Sequence, residues 1–509
     1  MVEKKPIVTG LRLPEMPDEI VLSPKKARLD WQRLLFMGIG IALFLIVYYS
    51  PQWPDAVDPV GAHFPLDKAA KGAIAVFLLA GTWWVFEVVP IGITSIMIGV
   101  LQALFLIRPA KVAFKDFMDP SVGFIFGSVI IGMVFTKTGL TKRMAYKMLS
   151  IVGEKTSMIY LGSFFVTAAL CHIMAHTAVA ATIFPLLMSI NVLYGVNEEK
   201  PTRFAKGIFI GMAYVAGAAS IVTLLGAARG AVAVGFFNDI MGKDITFFQL
   251  TYYMMVPGWI MVFALWGFFM VFFKPEKKVI PGLKGKAKKL CAELGKMSKG
   301  EILAITIVSL VVIALGLRSF IPTLKAYDKT AIILLATVIF FLAKVLGRED
   351  LEELPWNIIL LFGGAMSIGF CLWETGAAKW MAVNWLVMFQ NAPGFVFILG
   401  IAFFVMIMTN FIMNVAAIAI SLPVALVIAP YLGVAGEVVL FASLVTAGMP
   451  FLLLVGAAPN AIAYDSKQFT TAEFFLYGIP ASILLMAVVA LCVAVIWPMM
   501  GMPVSLPAP

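Results

Sequence analysis

Apolar runs of roughly twenty residues recur along almost the whole chain, separated by short polar or charged breaks. A run of that length spans the hydrocarbon of a bilayer as a helix, so the pattern predicts an all-α, multi-span membrane protein. The short alternating segments of a β-barrel are absent. Predicted spans cover about 34–50, 71–89, 91–107, 121–136 and 254–273, then 301–321, 329–346, 356–374 and 474–498. Two further spans start near 204 and near 437 and are interrupted, at Thr223–Gly230 and at Gly456–Ser466. That gives about 11 spans, two of them broken helices. Two regions, about 157–194 and 394–432, read as re-entrant hairpins with tips at 175–177 and 413–415.

The hairpins resemble each other. "LCHIMAHTAVAATIFP", Leu170–Pro185, is echoed by "NFIMNVAAIAISLP", Asn410–Pro423, so that His176 falls opposite Asn414 and Pro185 opposite Pro423, 238 positions on. "FGSVIIGM" followed by "TGLTKRMA" is matched, at offsets of 236 and 237, by "FGGAMSIGF" followed by "TGAAKWMA". An odd number of elements before the midpoint makes the second half an inverted copy of the first. In such transporters the substrate site lies near the midplane, where the repeats meet. The alternative is that Gly and Pro are simply common in membrane helices. The expected organisation is a tail over 1–31, a first half over 32–273, a linker over 274–300 and a second half over 301–509.

Composition agrees with the pattern. The chain is 61% hydrophobic and 13% charged, where a soluble domain carries about 25% charged residues. Its net charge of +10 sits in segments flanking spans, which sets membrane orientation and does not point to nucleic acid. Residues 274–299 hold nine lysines against two glutamates, the sharpest shift in the sequence. Lys4, Lys5, Lys25, Lys26, Arg28 and Arg33 precede the first span, so tail and linker are both expected on the cytoplasmic face of the inner membrane. The four cysteines show neither pairing nor metal spacing. The first apolar run starts only near Leu34, unlike a cleavable signal.

The tips, the "FGG" of Phe362–Gly364, the Thr375-Gly376 pair and above all "APNAIAY", Ala458–Tyr464, make residues 70–500 resemble the divalent-anion/sodium symporter family. The resemblance implies secondary transport of sulfate or dicarboxylates, two sodium sites beside the tips, no other cofactor, and a homodimer in the bilayer. It implies substrate contacts at Thr177, Asn414, Pro459 and Asn460, with Thr223 in the first break. It implies a cation site at Thr409, Ile412, Asn414 and Gly456. The first tip departs from the family pattern. It reads Ala175-His176-Thr177, with Cys171 where the family has a serine, and a thiol and an imidazole are poor ligands for a hard cation.

Two residue types add chemistry of their own. Arg229 lies beside the first break in apolar sequence, where an unpaired charge costs about 3 kcal/mol or more. Its fork geometry suits a carboxylate, sulfate or sulfonate. It either holds the anionic substrate, or snorkels, or pairs with Asp239 or Asp465. The loss of tip hydroxyls together with the gain of Arg229 tilts the reading towards a compact oxyanion. An imidazole titrates near neutrality, so His176 at the tip is a proton-coupling candidate as well as a substrate-binding one, with His172, four positions back, as relay or brace. Other readings are a membrane metalloenzyme built on the His172 and His176 pair, or an uncoupled anion exchanger or channel.

Overall fold

A computed structural model describes residues 31–57, 63–195, 201–389, 393–411 and 413–506. The tail over 1–30 and the cation candidate Ile412 lie outside the described residues. Among those described, nine helices are long and apolar enough to cross a membrane, and four shorter apolar helices accompany them.

Helices α1 (Trp31–Tyr49), α2 (Lys68–Val85) and α3 (Ile91–Leu104) lead through the short α4 (Ala110–Lys115) into α5 (Pro120–Lys137). Gly139, with φ +82°, turns the chain off the axis of α5 into the amphipathic α6 (Leu140–Val152). The first hairpin is α7 (Thr156–Cys171) and α8 (His176–Gly195). The first broken span is α9 (Arg203–Ala219) and α10 (Ala228–Met241), followed by α11 (Phe247–Phe272). The basic segment contains a helix, α12 (Leu283–Glu293), packed along α6.

The second half repeats the order. Helices α13 (Lys299–Phe320) and α14 (Lys329–Leu342) lead by the short α15 (Arg348–Glu352) to α16 (Trp356–Glu374). Gly376, with φ +78°, then starts α17 (Ala377–Phe389) as Gly139 starts α6. The second hairpin is α18 (Gly394–Phe411) and α19 (Asn414–Ile428). The second broken span is α20 (Gly436–Ala447) and α21 (Ala458–Tyr464), and α22 (Thr471–Leu491) ends the bundle.

Polar contacts sort the helix ends onto two faces. Both ends of the first hairpin meet the start of the basic segment: Thr156 N–H donates to Lys278 O, and the Tyr194 hydroxyl to Glu276. Glu276 also accepts from the first N–H groups of α9, and Lys206 of α9 pairs with Glu473 of α22. Arg143 pairs with Glu301 at 2.6 Å and Lys137 with Asp350 at 2.5 Å, so α6, α13 and α15 share this linker face. Opposite it, Arg108 at the end of α3 bonds Glu374 at the end of α16, and Lys243 after α10 bonds Glu437 of α20. The second hairpin ends there too, with Gly394 against Leu432 and Val434. The two hairpins therefore start and end on opposite faces. Counting each broken span once and omitting the hairpins, eleven helical passes run between the two faces among the described residues.

The halves interlock. The half-helix α10 of the first packs along α19 of the second, and α21 of the second along α8 of the first. Each hairpin arm is thereby clasped by a half-helix from the other repeat, and four helix ends converge on one point.

The second break differs in place from the sequence expectation. The chain unwinds over 448–457, and Pro459 sits in the first turn of α21 rather than in the break. A proline at the start of a helix gives up an N–H that has no partner there in any case.

Candidate functional site

At the convergence lies a cavity of about 280 Å³. Ala175, His176 and Thr177 of the first tip line it, as do Met413, Asn414 and Val415 of the second. Leu225 and Ala227 to Arg229 come from the first break, and Gly456 to Ala458 from the second. Ser128, Val129 and Gly132 of α5 and Pro355, Ile358 and Phe362 close the remaining side. Its walls are mostly apolar. The polar side chains are those of Ser128, His176, Thr177, Arg229 and Asn414. Helices α8, α10, α19 and the short α21 all begin at this wall, so their N-terminal partial positive charges are gathered around it.

Each tip is fastened to the break of its own half. In the first, Thr223 Oγ1 donates to His172 O at 2.6 Å, and His176 N–H donates to Gly226 O at 3.2 Å. A side chain at Gly226 would stand 2.2 Å from Cys171 O, so only glycine allows this approach. In the second, Thr409 Oγ1 lies 2.8 Å from Asn414 Oδ1 and 2.9 Å from Ala447 O. Asn410 Oδ1 accepts from Leu452 N–H at 2.7 Å, and Asn460 Nδ2 donates to Pro450 O at 2.8 Å.

Arg229 is 2% exposed, which removes the snorkelling alternative. Its guanidinium donates to Ser220 Oγ at 2.7 Å, and Ser220 in turn donates to Gly217 O. The same Nη2 stands 2.7 Å from where a side chain on Gly448 would begin. Among the described residues no carboxylate, Asp239 and Asp465 included, lies within 4 Å of it. This is a buried positive charge with a neutral partner, on the seam between the two unwound segments.

Of the residues expected from sequence, Thr177, His176, Arg229, Asn414 and Gly456 meet at the cavity. Thr223, Thr409, Pro459 and Asn460 stand behind it, where Thr223 and Thr409 fasten tip to break and Asn460 braces the second unwound segment through Pro450 O and Leu453 O. His172 and His176 do not share a helix face, because α7 ends between them. His172 caps α7 with its ring edge-on to Trp259, while His176 opens α8. Sequence reasoning missed Ser220, Asn410, Ala447 and Gly448. Asn410 stood inside the repeated stretch, but the others carry no local signal.

A second cavity, of about 510 Å³, lies on the linker face between α6, α8 and α12. It shares Ala178 and Ala181 with the central one and is bordered by Lys142, Lys286, Tyr146 and Thr141. It reads as a basic vestibule to the central cavity.

Comparison with known proteins agrees with this architecture. The family described as "Sodium:sulfate symporter transmembrane region" matches residues 37–503. The chain belongs to the sodium:sulfate symporter family. Sodium-dependent dicarboxylate transporters SdcS are among its relatives. That of Staphylococcus saprophyticus is 23% identical over 499 residues, spanning 94% of each chain. That of Staphylococcus aureus is 24% identical over 519 residues, spanning 96% of each. Among solved structures, the MtrF antimetabolite efflux pump of Neisseria gonorrhoeae aligns with a TM-score of 0.56 at 14% identity, over 94% of this chain and 96% of that one. The YdaH transporter of Alcanivorax borkumensis aligns with a TM-score of 0.53 at 12% identity, over 93% and 99%. These two share the fold. As a member of the sodium:sulfate symporter family, the chain is a multi-pass membrane transporter.

Proposed function

We propose that the protein is a symporter that carries a small dicarboxylate anion with sodium across the cytoplasmic membrane, by alternating access around the central cavity. The observation that carries the anion is Arg229. A buried guanidinium with no carboxylate partner is costly unless an anion completes it. The helix starts of α8, α10 and α19 add positive potential at the same wall.

A dicarboxylate suits the shape of the lining better than the compact oxyanion favoured by the sequence. Helix starts from both halves line the cavity, and Val129, Leu225, Ile358 and Phe362 offer apolar wall for methylene groups. The SdcS relatives, by their names, transport dicarboxylates. Sulfate is the second reading, favoured by the family description.

Sodium has a fitting environment at the second tip. Thr409 Oγ1, Asn414 Oδ1 and Ala447 O are hard oxygens brought together in the interior. Coupling by protons at His176 is the competing reading. Among the described residues its buried Nδ1 has no hydrogen-bond partner, which favours that role, but Arg229 already supplies a positive charge at the same cavity. The nine lysines of the linker support a cytoplasmic position for its face.

The test is uptake into liposomes of labelled succinate and labelled sulfate, under a sodium gradient and separately under a proton gradient. Succinate concentrated by the sodium gradient is the expected result. If neither gradient concentrates either anion, the reading fails.

A further inference from the structure

The two halves present the cavity with matching scaffolds and unlike chemistry. Gly226-Ala227-Ala228 and Gly456-Ala457-Ala458 recur, and both helix-starting alanines are extended, Ala227 at φ −159°, ψ 135° and Ala457 at φ −154°, ψ 145°. Each glycine faces the carbonyl at the end of its hairpin's first arm. A side chain on Gly226 would meet Cys171 O at 2.2 Å, and one on Gly456 would meet Thr409 O at 2.8 Å. The correspondence pairs Cys171 with Thr409, His176 with Asn414 and Arg229 with Pro459.

On the second side, a hydroxyl, an amide oxygen and a carbonyl meet at Thr409, Asn414 and Ala447. One hydroxyl proton cannot serve both acceptors at once, so an oxygen is left for a cation. On the first side the same positions are a thiol and an imidazole, and the hydroxyl of Thr223 is already given to His172 O. A guanidinium is built into that side. Arg229 bonds Ser220, whose carbonyl abuts Gly226, and it lines the same cavity as His176.

We propose that Arg229 is a tethered cation that takes the place of a mobile one in the first half, so that sodium is bound at the second half alone. The inference rests on the reading of this cavity as an anion and sodium site and adds the number of coupled ions. A charge fixed to the protein travels with the carrier in both directions and draws nothing from an ion gradient. A mobile sodium ion does draw on it. The protein is thus expected to couple one sodium fewer than a carrier with two oxygen-lined half-sites.

The test reads sodium binding with no anion present. Thermal unfolding of the purified full-length protein is followed while sodium chloride replaces choline chloride at constant ionic strength. Wild type should show saturable stabilisation with a Hill coefficient of about 1. Thr409→Val should raise the sodium midpoint by about tenfold or more, whereas Cys171→Ser should leave it within about twofold. A Hill coefficient approaching 2, a Cys171→Ser shift as large as that of Thr409→Val, or no sodium response in wild type would each overturn the proposal. If Thr409→Val fails to fold, the wild-type coefficient and Cys171→Ser still decide. Liposome uptake of succinate is scored separately, so an anion carrier without this sodium arrangement is distinguishable from a protein that carries no anion.

Discussion

Replacing Arg229 by methionine separates a functional charge from a structural one. The substitution keeps an unbranched, apolar stem and removes the guanidinium. What the fold loses is one charge-assisted hydrogen bond to Ser220 Oγ, worth about 1.5–3 kcal/mol. Ser220 is not orphaned, because its hydroxyl still donates to Gly217 O at 2.8 Å. What the fold gains is relief from burying a charge at 2% exposure without a carboxylate, about several kcal/mol. Arg229→Met should therefore unfold at the wild-type temperature or above it. Anion handling should move the other way. Losing a desolvated charged contact costs about 2–4 kcal/mol of substrate binding, which is from about thirtyfold to almost a thousandfold in affinity. The assay pairs detergent thermal unfolding with succinate uptake in liposomes, and Arg229→Lys serves as the variant that keeps the charge. A protein that melts well below wild type yet transports succinate with unchanged KM would refute the reasoning, since Arg229 would then be a packing residue.

Three further outcomes follow from the geometry. Gly226→Ala sets a methyl group 2.2 Å from Cys171 O and 2.8 Å from Ser220 O, both backbone atoms that cannot swing aside. It should cost about 1–3 kcal/mol or more in thermal stability and abolish uptake, whereas Gly38→Ala, in open space, should be silent in both. Reversing the charges that border the second cavity, Lys142→Glu with Lys286→Glu, should slow succinate uptake several-fold at low salt, and the gap should close by about 0.5 M salt as screening removes the field. Burial raises the proton affinity of Glu276, but N–H groups of Arg203 and Phe204 and the Tyr194 hydroxyl outweigh it and hold the carboxyl below its ordinary range. A depressed acid contributes stability that is present at neutral pH and lost as pH falls through the folded value. Unfolding curves should show a loss as pH falls below the ordinary carboxylate value of 4.5 that Glu276→Gln lacks, with that variant less stable at pH 7 by about 0.5 kcal/mol, since the carboxylate is largely exposed and screened.

Much of the architecture follows from the order of residues alone. Removal of apolar surface from water is local and roughly additive, so each run of about twenty apolar residues declares a span without reference to any other. The first break is legible at Gly226 and Gly230, because glycine acts on its own stretch of backbone, and the first hairpin is legible from its echo 238 positions on. That local rule also explains the misplaced second break, since Pro459 can interrupt a helix or begin one, and only the path of the chain decides. The sequence named Arg229 and Asn414 as candidates, yet not their surroundings. Packing brings Ala447 O, 38 positions on, to Thr409, joins Asn410 to Leu452, and lays the guanidinium of Arg229 against Gly448. Hydrogen bonding and charge act over a few ångströms between residues far apart in the chain. The wall of the cavity, the difference between its two halves and the missing carboxylate beside Arg229 exist only once both repeats have closed on each other.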